Sequence, residues 1–100
     1  MKETTLKLNL TNDFEISGFS RNTVVQDGKL VSSSYVTLKG PASSDIDRLR
    51  GIAPETLTDL SLVSEGKTIY ELSDLEAQIT SIDEALNDDG TMRVSFYIRY

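Results

Sequence analysis

Five residues, Asn87-Asp88-Asp89-Gly90-Thr91, join two runs of alternating apolar and polar residues. This stretch constrains the chain more than any other. Asn-x-Asp-Gly-Thr suits a type I turn followed by a glycine in the left-handed region. Such a turn fixes a register, in which Asn87 faces Thr91, Leu86 faces Met92, Glu84 faces Val94, Ile82 faces Phe96 and Thr80 faces Ile98. Apolar residues then oppose one another on one face, the unit of hairpin stabilisation. Asn87, Asp89 and Gly90 are therefore structural turn residues.

Two more acid-glycine pairs repeat the signal. Asp27-Gly28 suits a two-residue hairpin turn, with Val25 facing Leu30 and Val24 facing Val31. Glu65-Gly66 separates Leu57–Val63 from Ile69 and Leu72 and predicts a third hairpin. At the start, Leu6, Leu8 and Leu10 alternate with Lys7 and Asn9, a half-buried strand ending in a turn at Thr11-Asn12-Asp13. Phe14, Ile16 and Phe19 resume the pattern, and Gly18 marks a bulge. Val36 and Leu38 share a face opposite Phe19. Ser32, Ser33 and Ser34 form a polar middle that faces water or another chain.

Pro41 ends that strand, since it has no amide hydrogen to donate. Ser44 reads as a helix N-cap, with Asp45 and Asp47 in the first turn and Arg48 and Arg50 in the last, before Gly51. The predicted helix runs from about Asp45 to Arg50 and buries Ile46 and Leu49. Ser73 to Asn87 carries two patterns. Ser73-Asp74-Leu75-Glu76 fits a capping box, and Leu75, Ile79, Ile82 and Leu86 have helical spacing. The turn register and the acids near the would-be helix C-terminus favour a strand from about Ala77. The expected fold is mainly β, with about seven antiparallel strands paired as hairpins in a sandwich or partly open barrel and one short helix after the third strand. The alternative is α+β with a helix near residues 74–87.

The chain has 100 residues, enough for one domain with a real core. Sixteen acids against ten bases give a formal charge of −6. That balance disfavours nucleic acid and anionic lipid and suits a protein partner. Without cysteine or histidine there is no thiolate chemistry, no histidine base and no Cys/His zinc site. No cofactor, metal site or catalytic set is expected. The first residues lack the apolar core of a signal peptide, which implies cytoplasmic synthesis.

Several short motifs resolve to structure. Ser64-Glu65-Gly66-Lys67 has acylation-motif spacing, but it spans a predicted turn where a helix is required. Tyr35 and Lys39 have a dehydrogenase spacing that works on a helix; on a strand they stand roughly 13 Å apart. Asn87, Asp88 and Asp89 lack the alternating ligand pattern of a calcium loop. Arg93, Tyr97 and Arg99 alternate on the outer face of the last strand, and Tyr100 ends the same pattern. Arg and Tyr are favoured interface residues, so these four are the candidate partner-binding set.

The stretch from Ile79-Thr80-Ser81-Ile82 through Asn87-Asp88-Asp89-Gly90, then Met92 to Tyr100, resembles small β-rich proteins carried by phages and prophages of Gram-positive bacteria. The resemblance implies a virion or accessory protein that assembles or binds rather than catalyses. The leading expectation is a non-catalytic interaction or assembly module, whose partner is a protein, including another copy of itself. A second reading is an acidic inhibitor or regulator of a basic protein surface. A carboxylate-only enzyme is the third, and a domain this small has little room for the cleft it needs.

Overall fold

The computed structural model describes residues 3–100. Met1 and Lys2, where the leader reading begins, lie outside them. The strands are β1 (Thr4–Leu8), β2 (Asn12–Gln26), β3 (Lys29–Leu38), β4 (Leu60–Ser64), β5 (Lys67–Leu72), β6 (Gln78–Leu86) and β7 (Met92–Arg99), with helix α1 (Ser43–Ile52) after β3. All seven join one antiparallel sheet in the order β5-β4-β1-β2-β3-β7-β6. It is not a two-sheet sandwich. The sheet is open, with β5 and β6 as its edges, and the segment after β5 is not helical.

The turns set the registers as their chemistry requires. Asp27 and Gly28 both have positive φ (53° and 76°), as do Glu65 and Gly66 (53° and 77°), the signature of a two-residue hairpin turn. Val25 pairs with Leu30 and Val24 with Val31. At the third turn Gly90 has φ +87°, and its amide donates to the Asn87 carbonyl at 3.1 Å. The Asp89 carboxylate accepts from the Thr91 amide at 3.0 Å, and Asn87 Nδ2 donates to Thr91 Oγ1 at 3.0 Å. These side chains serve the turn.

Three single-residue bulges tune which side chains face inward. Ser17 is the extra residue in β2, one position before the expected Gly18. It keeps Phe14 and Ile16 inward and lets Phe19 follow them. Ile69 is extra in β5 and is exposed. In β6 the extra residue is Thr80, so Ile79 rather than Thr80 faces Ile98. That one-residue slip exchanges a hydroxyl for an isoleucine on the buried face, which is the driving force for it.

Leu10 departs from the expected alternation. The strand stops at Leu8, because Asn9 and Leu10 both take left-handed backbone (φ 53° and 64°). The turn comes before Asn12 rather than at Thr11-Asn12-Asp13, and Leu10 is 70% exposed. Leu6 and Leu8 are fully buried, as their spacing predicts.

A single sheet leaves one apolar face to cover. It curls until Phe19 on β2 meets Tyr70 on β5, ring centroids 5.8 Å apart. Leu57 and Ala77 form a short bridge that ties the two inter-strand segments together, and both are fully buried. Asp74 has φ +56° and the Leu75 amide donates to the Thr58 carbonyl at 2.9 Å. The would-be helix start is thereby spent on a loop. Helix α1 supplies Leu49 and Ile52 to a core formed around Leu6, Phe14, Val36 and Phe96.

The helix is longer than expected at both ends, and its N-cap is Ala42, not Ser44. The Asp45 carboxylate accepts from the Ala42 amide at 3.0 Å, the half of a capping box that runs from the third helical residue back to the cap backbone. Arg48 binds Asp45 at 2.8 Å, donates to the Asp13 carbonyl at 2.8 Å and lies over the Phe14 ring at 4.4 Å. Arg50 reaches both oxygens of Glu84 on β6 at 2.7–2.8 Å. These solvent-exposed pairs orient the helix; the buried leucine and isoleucine hold it.

Two substitutions test this account by chemical denaturation. Gly90→Val is expected to cost about 1–2 kcal/mol, since a β-branched residue resists positive φ. Leu10→Gly is expected to leave stability unchanged or raise it by up to ~1 kcal/mol, because relief of left-handed strain offsets the looser unfolded chain.

Candidate interaction surfaces

Alternation along β7 divides the predicted partner-binding residues. Val94, Phe96 and Ile98 point inward and are fully buried, so Arg93, Tyr97 and Arg99 point outward. Tyr97 pairs directly with Tyr35 on β3. Their rings are 4.8 Å apart at 47°, and both are exposed, at 47% and 38%. Tyr35, whose spacing to Lys39 makes no enzyme motif on a strand, is placed beside Tyr97 by the β3–β7 register. Arg93 and Arg99 flank the ring pair, and neither joins an ion pair among the described residues. Asp83 on β6 stands opposite Ser95, between them.

Tyr100 belongs elsewhere. It continues the inward alternation, its amide donates to the Ser32 carbonyl at 3.1 Å, and its hydroxyl shares a hydrogen bond with the buried Ser34. Arg21 lies over its ring at 4.8 Å and donates to the Tyr70 hydroxyl at 3.0 Å and to Ser32 Oγ at 3.3 Å. The serine-rich stretch of β3 thus splits by pleat. Ser32 and Ser34 serve this inner polar cluster, while Ser33 lies on the outer side.

The third surface is an arm. Every residue from Ser20 to Leu30 is exposed, although the strands remain paired to the turn. Its tip carries Val24, Val25 and Leu30, at 45%, 73% and 75% exposure. The molecule is accordingly elongated, 44 × 29 × 24 Å. The sequence showed these apolar residues, but its alternation could not show that no second layer lies above them.

A hollow of about 370 Å³ lies beside the helix start, lined by Asp13, Phe14, Glu15, Lys39, Pro41 and Asp45. It is wide open. The Arg48 hydrogen bond, then the Ala42 amide, hold the Asp45 carboxyl below its ordinary range. A general acid needs a shift in the other direction. The Ser64–Lys67 spacing spans the β4–β5 turn, and Tyr35 and Lys39 fall along and just beyond β3. No described helix is long and apolar enough to cross a membrane.

An open antiparallel sheet with one helix on its concave side and a projecting hairpin is a build with a solved counterpart. Hcp1 from Flavobacterium johnsoniae has a similar fold, with a TM-score of 0.64 over 96% of this chain and 88% of that chain, at 16% identity. At that identity the likeness is one of fold. No family model matches the chain, and no curated protein matches it. The neighbour lends no support to the Gram-positive origin that the sequence resemblance implies.

Burial pushes the Tyr100 phenol up, and the Ser34 hydrogen bond and the Arg21 charge pull against it. A raised folded value means that this group's stabilisation is present below the unfolded pKa and is lost as pH rises through the folded one. By residue-resolved NMR titration, Tyr100 is expected to ionise above the ordinary tyrosine value, and Ser34→Ala is expected to move it higher still.

Proposed function

We propose that this chain is a non-catalytic assembly subunit of a phage-tail-like or secretion-type particle, and that its partner is a further copy of itself. The observation that carries this reading is the β2–β3 arm. A hairpin end, residues 20–30, that adds no buried residue to the core, yet presents Val24, Val25 and Leu30 at its tip, is built to be covered by something else. Two unpaired sheet edges add further surface able to meet another chain. The fold shared with Hcp1 and the phage-like texture of residues 79–100 support the same reading. Small exposed hollows and carboxylates committed to turns and caps fit binding rather than catalysis.

The reading is tested by light scattering on a sizing column over a hundredfold concentration range. The chain is expected to form a discrete oligomer. Val25→Ser/Leu30→Ser is expected to weaken it by about tenfold or more, while changing monomer stability by no more than about 1 kcal/mol, because these side chains pack only against each other. A strict monomer at every concentration overturns the assembly reading and favours an acidic regulator of a basic protein, whose binding would fall steeply with salt.

A further inference from the structure

The weak point of the β2–β3 arm is its root. β2 loses its neighbour on one side early, since its register with β1 ends at the pair Thr4 and Ile16. On the other side β7 follows β3 as far as the pair Ser33 and Arg99. The Tyr100 amide reaches one residue further, to the Ser32 carbonyl at 3.1 Å. From Val24 to Val31 the ribbon is two paired strands and a turn, with no third strand beside it among the described residues. A two-stranded ribbon is marginal alone and twists more than a wide sheet. Left to itself, it would carry the apolar tip on a loose support.

One side chain supports that root. Arg21 lies on β2 opposite Ser34 of β3. Its guanidinium donates to the Tyr70 hydroxyl on β5 at 3.0 Å and to Ser32 Oγ on β3 at 3.3 Å. It also lies over the Tyr100 ring, 4.8 Å from the centroid. Each of these partners is itself anchored. Tyr70 packs on Phe19, the Tyr100 hydroxyl bonds the buried Ser34, and Ser32 Oγ shares a hydrogen bond with Thr23 Oγ1 at 2.9 Å. β5 is one edge of the sheet, and Tyr100 follows β7 on the other flank. Arg21 therefore ties the root of the arm to both flanks of the curled sheet at once. It joins no ion pair among the described residues. Hydroxyls and a ring face use the direction of its planar fork more than its charge.

We propose that Arg21 is the positioning residue of the arm: braced on Tyr70, Ser32 and Tyr100, it fixes the angle at which Val24, Val25 and Leu30 are presented. The inference rests on the assembly reading above for what the tip meets, whereas the brace belongs to the single chain. Its hydrogen bonds go to the body and the arm's root, and none goes to the tip. It acts through the direction of the ribbon. A tip already held at one angle loses less freedom when a partner covers it, so the brace strengthens association without adding a contact.

The chain has no cysteine, so introduced cysteines carry spin labels at chosen sites in the full chain. Lys29→Cys with Asp88→Cys reports the arm against the body, and Glu55→Cys with Asp88→Cys reports the body alone; all three positions are exposed. Every labelled chain also carries Val25→Ser/Leu30→Ser, so that no neighbouring copy holds the arm. Pulsed electron resonance is expected to give one narrow arm-to-body distance when Arg21 is present. Arg21→Ala is expected to spread it into a broad distribution. Tyr70→Phe, which keeps the ring on Phe19 and removes only the hydroxyl, is expected to spread it partly. The body distance is expected to stay narrow in both. An arm distance as narrow in both variants as in the parent overturns the brace. A body distance that broadens as much as the arm distance also overturns it, because Arg21 then holds the fold and does not aim the arm. With the tip intact and no labels, Arg21→Ala is expected to associate about tenfold more weakly by light scattering. Equal association despite a loosened arm overturns the role of arm angle in assembly. If the unaltered chain is monomeric at every concentration, the assembly reading falls alone, and the distances still decide the brace.

Discussion

The structure depends on covering one apolar sheet face without a second sheet. Seven strands in a single layer present Leu6, Leu8, Phe14, Ile16, Val36, Val94, Phe96 and Ile98 on the same side. An uncovered face of that size would cost far more than a small domain's whole stability margin. The chain solves this by curling the sheet until β2 and β5 touch through Phe19 and Tyr70, and by laying Leu49 and Ile52 of the helix onto the remaining gap. Leu57 and Ala77 fill the space between the edges and supply each other's backbone bonds. Twist makes such curling natural for a right-twisted sheet, and the three bulges sharpen it where the pleat would otherwise turn a polar residue inward.

What does not fit inside this arrangement becomes available outside it. β2 outruns the strands around it, so the distal part of the β2–β3 ribbon has strand pairing without a layer to pack on. The outer face of the sheet faces no other element, so its residues are free to differ in character from one flank to the other. Arg93, Tyr97 and Arg99 of β7 lie there beside Tyr35 of β3, with Asp83 of β6 opposite Ser95 among them. Exposed charges such as these add little to the fold. They bear on what the molecule meets and how it is oriented when it does.

Much of this was legible in the residues. The Asn87–Thr91, Asp27-Gly28 and Glu65-Gly66 turns stated three hairpins, because left-handed backbone needs particular residues and strand registers follow from turn geometry. Leu86 opposite Met92 and Ile82 opposite Phe96 could be written down in advance. Leu10 and Thr80 could not. Both depend on where a strand gives up its alternation, and that is settled by the fit of neighbouring strands across the core. The helix boundaries were missed because Ala42 has no capping side chain to mark the start, and only the Asp45 carboxylate, accepting from the Ala42 amide, ties that end down. Of the four residues expected to meet a partner, alternation placed Arg93, Tyr97 and Arg99 on one outward face; it gave no sign that Tyr35 stands beside Tyr97 or that Tyr100 closes an inner cluster with Ser34 and Arg21.

The sequence by itself determined the β class, the turn positions and the sign of the surface charge, because these follow from local backbone preferences and from counting ionisable groups. Only the tertiary structure decided that the strands form one open sheet in the order β5-β4-β1-β2-β3-β7-β6. Pairings such as β1 with β4 and β3 with β7 join segments separated by some fifty residues or more. No local preference encodes them. They arise because this arrangement buries the apolar faces of all three hairpins against one another, and the same arrangement leaves the arm, the Leu10 turn and the Tyr35–Tyr97 pair in solvent.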